Sequence, residues 1–198
     1  MVRLSHEERR RRIVLGAMEA FARSGFRGTR SRDLARAAGV SEALLFKHFP
    51  DKRAIQTAII EERIRQRGGR FIPDELRDAP PEKVLRALAS RILANARRDP
   101  GFMRLLYFAG LESEPLGPMF FRRRVSRSVD ELADLARFWI RRGKVRRSID
   151  PRGFAWSFLG CIFQLAVMRE LFGVARVSSR KGDPAAPAVD LFLRGIRT

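Results

Sequence analysis

The chain has one cysteine, Cys161, and two histidines, His6 and His48. One thiol cannot close an intrachain disulfide, and no set of Cys, His, Asp and Glu stands at a metal-ligand spacing. No metal is therefore expected, and a reducing, cytoplasmic setting fits. There is no Gly-rich phosphate loop and no nucleophile elbow, and Cys161 has no histidine near it in sequence, so the chain is read as neither an enzyme nor a cofactor carrier. Long apolar runs are missing too. The most apolar stretch, Gly153 to Met168, is broken by Ser157 and Gln164 and bounded by Arg152 and Arg169. A membrane span needs ~20 apolar residues, so no membrane partner is expected. The first residues are charged from Ser5 to Arg12 with no apolar core behind them, unlike a secretory signal. No internal repeat and no strict apolar-polar alternation of a surface strand appears.

What is present is a basic chain with ample apolar content. Of 198 residues, 45% are hydrophobic, enough for a sizeable core, and the net charge is +19. That charge favours a polyanion, either nucleic acid or an anionic surface. Lysine is scarce, standing only at Lys47, Lys52, Lys83, Lys144 and Lys181. So strong an arginine bias also follows from a GC-rich coding sequence, which lowers the weight of charge alone.

Apolar residues recur at helical spacing almost throughout, and the fold class is all-α with about nine helices. Ser5 and Glu8 read as a capping box opening a helix that ends at Gly25. Thr29 reads as the N-cap of a second helix ending at Gly39, and Ser41 caps a third that runs to about Lys47. Further helices are expected at about 52–67, 82–98, 102–111, 115–143, 151–173 and 188–196, with a polar loop over 177–187.

The segment 30–49 carries the functional signal. Leu34, Val40 and Leu45 fill the inside of an angle between two short helices, Ala35 is small where they cross, and Gly39 takes the positive φ of a tight turn. This is a helix-turn-helix, whose second helix lies in the major groove of double-stranded DNA. A plain helical hairpin has the same outline. The flanks decide: the first helix, Gly25-Phe26, Thr29, Asp33-Leu34-Ala35, Ala38-Gly39-Val40-Ser41, Leu45-Phe46, His48-Phe49 and Lys52 together resemble the tetracycline-repressor (TetR) family over about residues 13–55. Phe46 stands where the family usually has Tyr, and Ala43 where it usually has Gly.

The resemblance implies an N-terminal DNA-binding domain, 1–53, and a helical effector-binding and dimerisation domain, 54–198. It assigns DNA contacts to Ser31, Arg32, Ser41, Glu42, Ala43, Leu44, Lys47, His48 and Lys52. Lys52 would sit at a helix N-terminus that itself favours phosphate, whereas His48 reads equally as a packing residue. Arg9 to Arg12 read as a solvated face or as a source of electrostatic steering, with Arg3 reaching a minor groove.

The helix at 151–173 is apolar nearly all round and so must be covered on two sides. One side is core; the other implies a second copy of the chain, as in the family, where the last two helices of two subunits form a four-helix interface. Phe158, Leu165, Phe172 and Leu191 are assigned to it. An effector pocket for an apolar or amphipathic small molecule is assigned to Phe102, Leu106, Phe120, Trp139, Trp156 and Phe163, although aromatic stripes at helical spacing read as core as well. Arg122, Arg123, Arg124 and Arg127 read as a solvated face or an anionic-headgroup site. The implied function is a homodimeric regulator, a repressor released from a palindromic operator by its effector. The alternative is a non-specific basic, architectural DNA-binding protein.

Overall fold

The structure is a computed structural model that describes residues 5–66, 69–112, 116–175 and 182–196. Its described elements are helical: α1 (His6–Gly28), α2 (Ser31–Ala38), α3 (Glu42–His48), α4 (Lys52–Gln66), a 3-10 turn (Asp74–Leu76), α5 (Pro81–Arg98), α6 (Pro100–Leu111), α7 (Leu116–Phe120), a π turn (Phe121–Val125), α8 (Ser126–Arg141), α9 (Pro151–Glu170) and α10 (Ala186–Ile196). The run 116–141 is continuous and answers to the single long helix expected there, which makes nine helices among the described residues. Arg3, residues 67–68, Pro115 and the 177–181 part of the expected loop lie outside the described residues.

The start of α1 follows the sequence. Ser5 Oγ accepts from the Glu8 amide at 3.1 Å, and Glu8 returns the bond to the Ser5 amide at 2.7 Å. Gly25 takes a left-handed conformation, φ 68°, and kinks the helix before its last turn. Thr29 does not cap α2. It is buried, and its hydroxyl donates back to the Gly25 carbonyl at 2.6 Å. Asp33 serves α2 instead, accepting from the Arg30 amide at 3.1 Å. A threonine beside a helix end can serve either neighbour, and here the orphan carbonyls of α1 claim it.

The chain forms two compact units, and they differ from the expected division at 53/54. One comprises 1–68 with 101–121, the other 69–100 with 122–198. The N-terminal unit has a single core in which Ile13, Ala17 and Phe21 of α1, Leu34 of α2 and Leu45 of α3 pack with Ile55 and Ile59 of α4 and Phe102 and Leu105 of α6. The Phe26 amide also donates to the Glu112 carboxylate at 2.7 Å. These contacts draw α4 and α6 into the N-terminal unit, and their partners are too far apart in sequence for periodicity to reveal them. The C-terminal unit packs α5, α8, α9 and α10 around Leu85, Leu88, Leu132, Trp139, Phe158, Ile162 and Val189. Asp150 caps α9, accepting from the Gly153 amide at 2.7 Å, with Pro151 in the first turn.

Candidate nucleic-acid interface

The turn between α2 and α3 has the expected geometry. Gly39 sits at φ 64°, ψ 40°, and its amide donates to the Arg36 carbonyl at 3.0 Å. A Cβ at this position would come within 2.6 Å of the Arg12 guanidinium. Gly16 of α1 makes a second close approach, because a Cβ there would meet the Ala37 carbonyl oxygen at 2.6 Å. So α2 lies directly on α1.

On this platform α3 is two-sided. Leu45 is completely buried and His48 is buried, while Ser41, Glu42, Ala43, Phe46 and Lys47 are exposed and Leu44 is half-buried. Ser41 Oγ accepts from the Leu44 amide at 3.1 Å, so its hydroxyl proton stays available to an outside acceptor. Ser31, in the first turn of α2, is half-buried and Arg32 is exposed. Phe46, which lacks the hydroxyl of a Tyr, also stands on the outward face.

Two residues assigned to phosphate make contacts within the protein. The Lys52 ammonium donates to the carbonyls of Phe26 at 2.9 Å and Thr29 at 2.8 Å, and lies 4.4 Å from the centroid of the Phe26 ring. It thereby ties the start of α4 to the end of α1. The α4 N-terminus is also occupied, since Asp51 accepts from the Ala54 amide at 2.7 Å, which places a carboxylate where a phosphate was expected. His48 packs its ring against His6, centroids 4.4 Å apart, and its buried Nδ1 has no hydrogen-bond partner. Desolvation holds the His48 pKa below its ordinary 6.5, aided by the charges of His6, Arg9, Arg10 and Lys47.

Sequence reasoning missed Arg10, which was read only within a charged run. Its guanidinium donates to the His48 carbonyl at 3.1 Å and lies 4.2 Å from the Phe49 ring centroid. Arg10 thus closes the C-terminal end of α3 with a cation, as the helix dipole favours. Only the carbonyl left open at a helix end hints at such a partner.

The residues assigned to a pocket and a dimer interface are sorted differently by the structure. Phe102, Leu106 and Phe120 belong to the N-terminal core, where the Phe102 and Phe120 rings meet edge to face at 5.3 Å. Trp139 is fully buried in the C-terminal core, while Trp156 and Phe163 are 36% and 41% exposed on α9. Among the interface residues, Phe158 is core, Leu165 is half-buried, and Phe172 and Leu191 are 67% and 70% exposed. Phe158 thus lies inside the C-terminal core, and Trp156 and Phe163 lie on the exposed side of α9. A helix apolar on every side gives no phase from which to choose its outer face.

A short helix presented outward on a tri-helical platform, with polar and cationic side chains on its free face, defines a DNA-reading helix-turn-helix unit. Residues 13–59 match the family model described as bacterial regulatory proteins, tetR family. The nucleoid occlusion factor SlmA of Marinobacter nauticus is 32% identical over 148 residues, 72% of each chain. The HTH-type transcriptional regulator RutR of Escherichia coli is 27% identical over 73% of this chain and 67% of its own. Among solved structures, FadR of Bacillus subtilis, a transcriptional regulator in complex with stearoyl-CoA, superposes with a TM-score of 0.68 at 19% identity, covering 94% of this chain and 99% of that one. The chain belongs to the TetR family of DNA-binding transcriptional regulators. Among the described residues no helix is long and apolar enough to cross a membrane.

Proposed function

We propose that the chain is a homodimeric, ligand-responsive regulator, a repressor that leaves a palindromic operator when a small molecule binds. The observation that carries the DNA end is the outward face of α3, where Glu42, Ala43 and Lys47 are free while Leu45 anchors the helix. In this reading Ser31, Ser41 and Lys47 contact phosphates, which set register. Arg32, Glu42, Ala43 and Leu44 meet base edges: Arg32 as a fork to guanine, Glu42 as an acceptor from cytosine N4, and Ala43 against a thymine methyl. Lys52, His48 and Arg10 hold α3 and α4 in position.

One short helix reads few bases, so two copies spaced by ~34 Å along one face of DNA give useful affinity. The apolar exposure of Trp156, Phe163, Phe172 and Leu191 supports self-association through α9 and α10, since a lone protomer would leave this surface in water. A small-molecule effector is supported by family membership and by the stearoyl-CoA held by FadR of B. subtilis. A useful switch needs a coupling of only ~1–3 kcal/mol. A second reading, binding without sequence preference, is favoured by the +19 charge.

Selection of bound sequences from random duplex DNA near physiological salt separates the two. Enrichment of a palindrome is the expected result and supplies the operator for effector screening. Binding that falls evenly for every sequence as salt rises would establish the second reading.

A further inference from the structure

Four arginines crowd the approach to α8, and the structure separates them. Arg122, Arg123 and Arg127 are exposed, whereas Arg124, inside the π turn, is half-buried. A π turn holds one more residue than an α turn and so resets which side chains face inward; such turns recur at functional sites. The Arg124 carbonyl accepts from Ser128 Oγ at 3.1 Å, but among the described residues its guanidinium makes no hydrogen bond or ion pair.

A second guanidinium comes from α5. Arg91 donates to the Phe71 carbonyl and lies 5.0 Å from the centroid of the Phe71 ring. The peptide group that accepts from Arg91 is held again at its other end, where the Ile72 amide donates to Glu131 Oε2 at 2.9 Å. In a planar trans peptide the oxygen and the N–H point in opposite directions. Arg91 and Glu131 therefore grip one peptide from opposite sides. Glu131 follows Arg124 by about two helical turns, on the same face. Burial lowers the Arg91 pKa, the charge of Arg124 adds to the effect, and Glu131 opposes it. Burial lowers that of Arg124 as well, against Glu131 and with Arg127. Two part-buried cations thus stand against one carboxylate that already has a donor. A buried cation without a counter-charge is costly, and a guanidinium fork matches a group with two oxygens.

We propose that Arg91 and Arg124 form an oxyanion site in the C-terminal unit, taking the carboxylate or phosphoryl group of a small molecule. As an effector site it rests on the ligand-responsive reading above; as an anion site it does not. The test uses the full chain in a chloride buffer, titrated with octanoate, inorganic phosphate or neutral 1-octanol. Melting temperature and operator binding are read separately. Octanoate or phosphate is expected to raise the melting temperature and 1-octanol to leave it unchanged. Arg124→Gln, which removes no guanidinium hydrogen bond among the described residues, is expected to melt in chloride no lower than wild type, because it relieves a buried charge, and to weaken anion binding about tenfold. The exposed control Arg122→Gln is expected to bind as wild type. A response to octanoate alone identifies a carboxylate site, and a response to phosphate alone a phosphoryl site. No anion-dependent rise, or a rise of equal size in Arg124→Gln, overturns the proposal. A rise that depends on Arg124 while operator affinity stays constant upholds the site and counts against its role as the effector switch.

Discussion

Lys52 shows how one side chain can resemble a ligand contact and serve as a brace. Its ammonium satisfies two carbonyls, 26 and 23 residues back in the chain, at the end of α1. Each charge-assisted bond is worth roughly 1.5–3 kcal/mol, so Lys52→Ala is expected to lower the melting temperature as well as DNA affinity. A phosphate contact would leave the melt unchanged, and thermal unfolding without DNA tells the two apart. Glu42→Ala, on the free face, is expected to keep the melt and change the preferred sequence, read by repeating the selection with the variant. His48 makes the N-terminal unit sensitive to acid. Because its pKa is depressed in the fold, the neutral ring is the native form, and the unfolded chain binds the proton more readily below pH 6.5. The stability it contributes is complete above that pH and drains away as pH falls through and below it. Urea midpoints at about pH 7.5 and pH 5.5 should therefore fall together with pH, and by less in His48→Gln. None of this was legible from composition, because the partners of Lys52 and His48 are main-chain carbonyls and a ring brought in from other elements.

At the scale of elements, legibility follows locality. The α2–turn–α3 unit could be read because Leu34, Gly39, Ser41 and Leu45 set its angle within a dozen residues, each by its own conformational or burial preference. Gly39→Val is expected to lower the melting temperature, since a β-branched residue resists positive φ. Gly16→Val should do the same for a different reason, by pushing α1 off the Ala37 carbonyl. The outer side of α9 could not be read, since apolar residues surround it and only the position of α5, α8 and α10 decides which are covered. Nor could the π turn, which interrupts what reads as one long amphipathic helix and turns Arg124 away from its three exposed neighbours.

At the scale of the whole molecule, the C-terminal unit leaves an apolar surface on α9 and α10 that a second copy would cover. Phe172→Glu combined with Leu191→Glu is expected to give monomers by size-exclusion chromatography with light scattering and to weaken operator binding sharply, while the fold persists because both residues lie outside the core. Phe158→Ala is the contrasting case. It empties a fully buried site and should cost about 3–5 kcal/mol of stability. The division into units also went unforeseen, because α6 joins the N-terminal core across a long stretch of intervening chain.

The chain has two tryptophans, and both lie in the C-terminal unit, Trp139 sealed in its core and Trp156 on its outer face. Fluorescence excited at the red edge therefore comes from that unit alone. Self-association that shields Trp156 moves the emission to shorter wavelength, and the Trp139 contribution stays fixed as an internal reference. DNA added to the N-terminal unit alters the spectrum only when its arrival is felt in the other unit, so communication between the two units can be followed optically in the unlabelled protein.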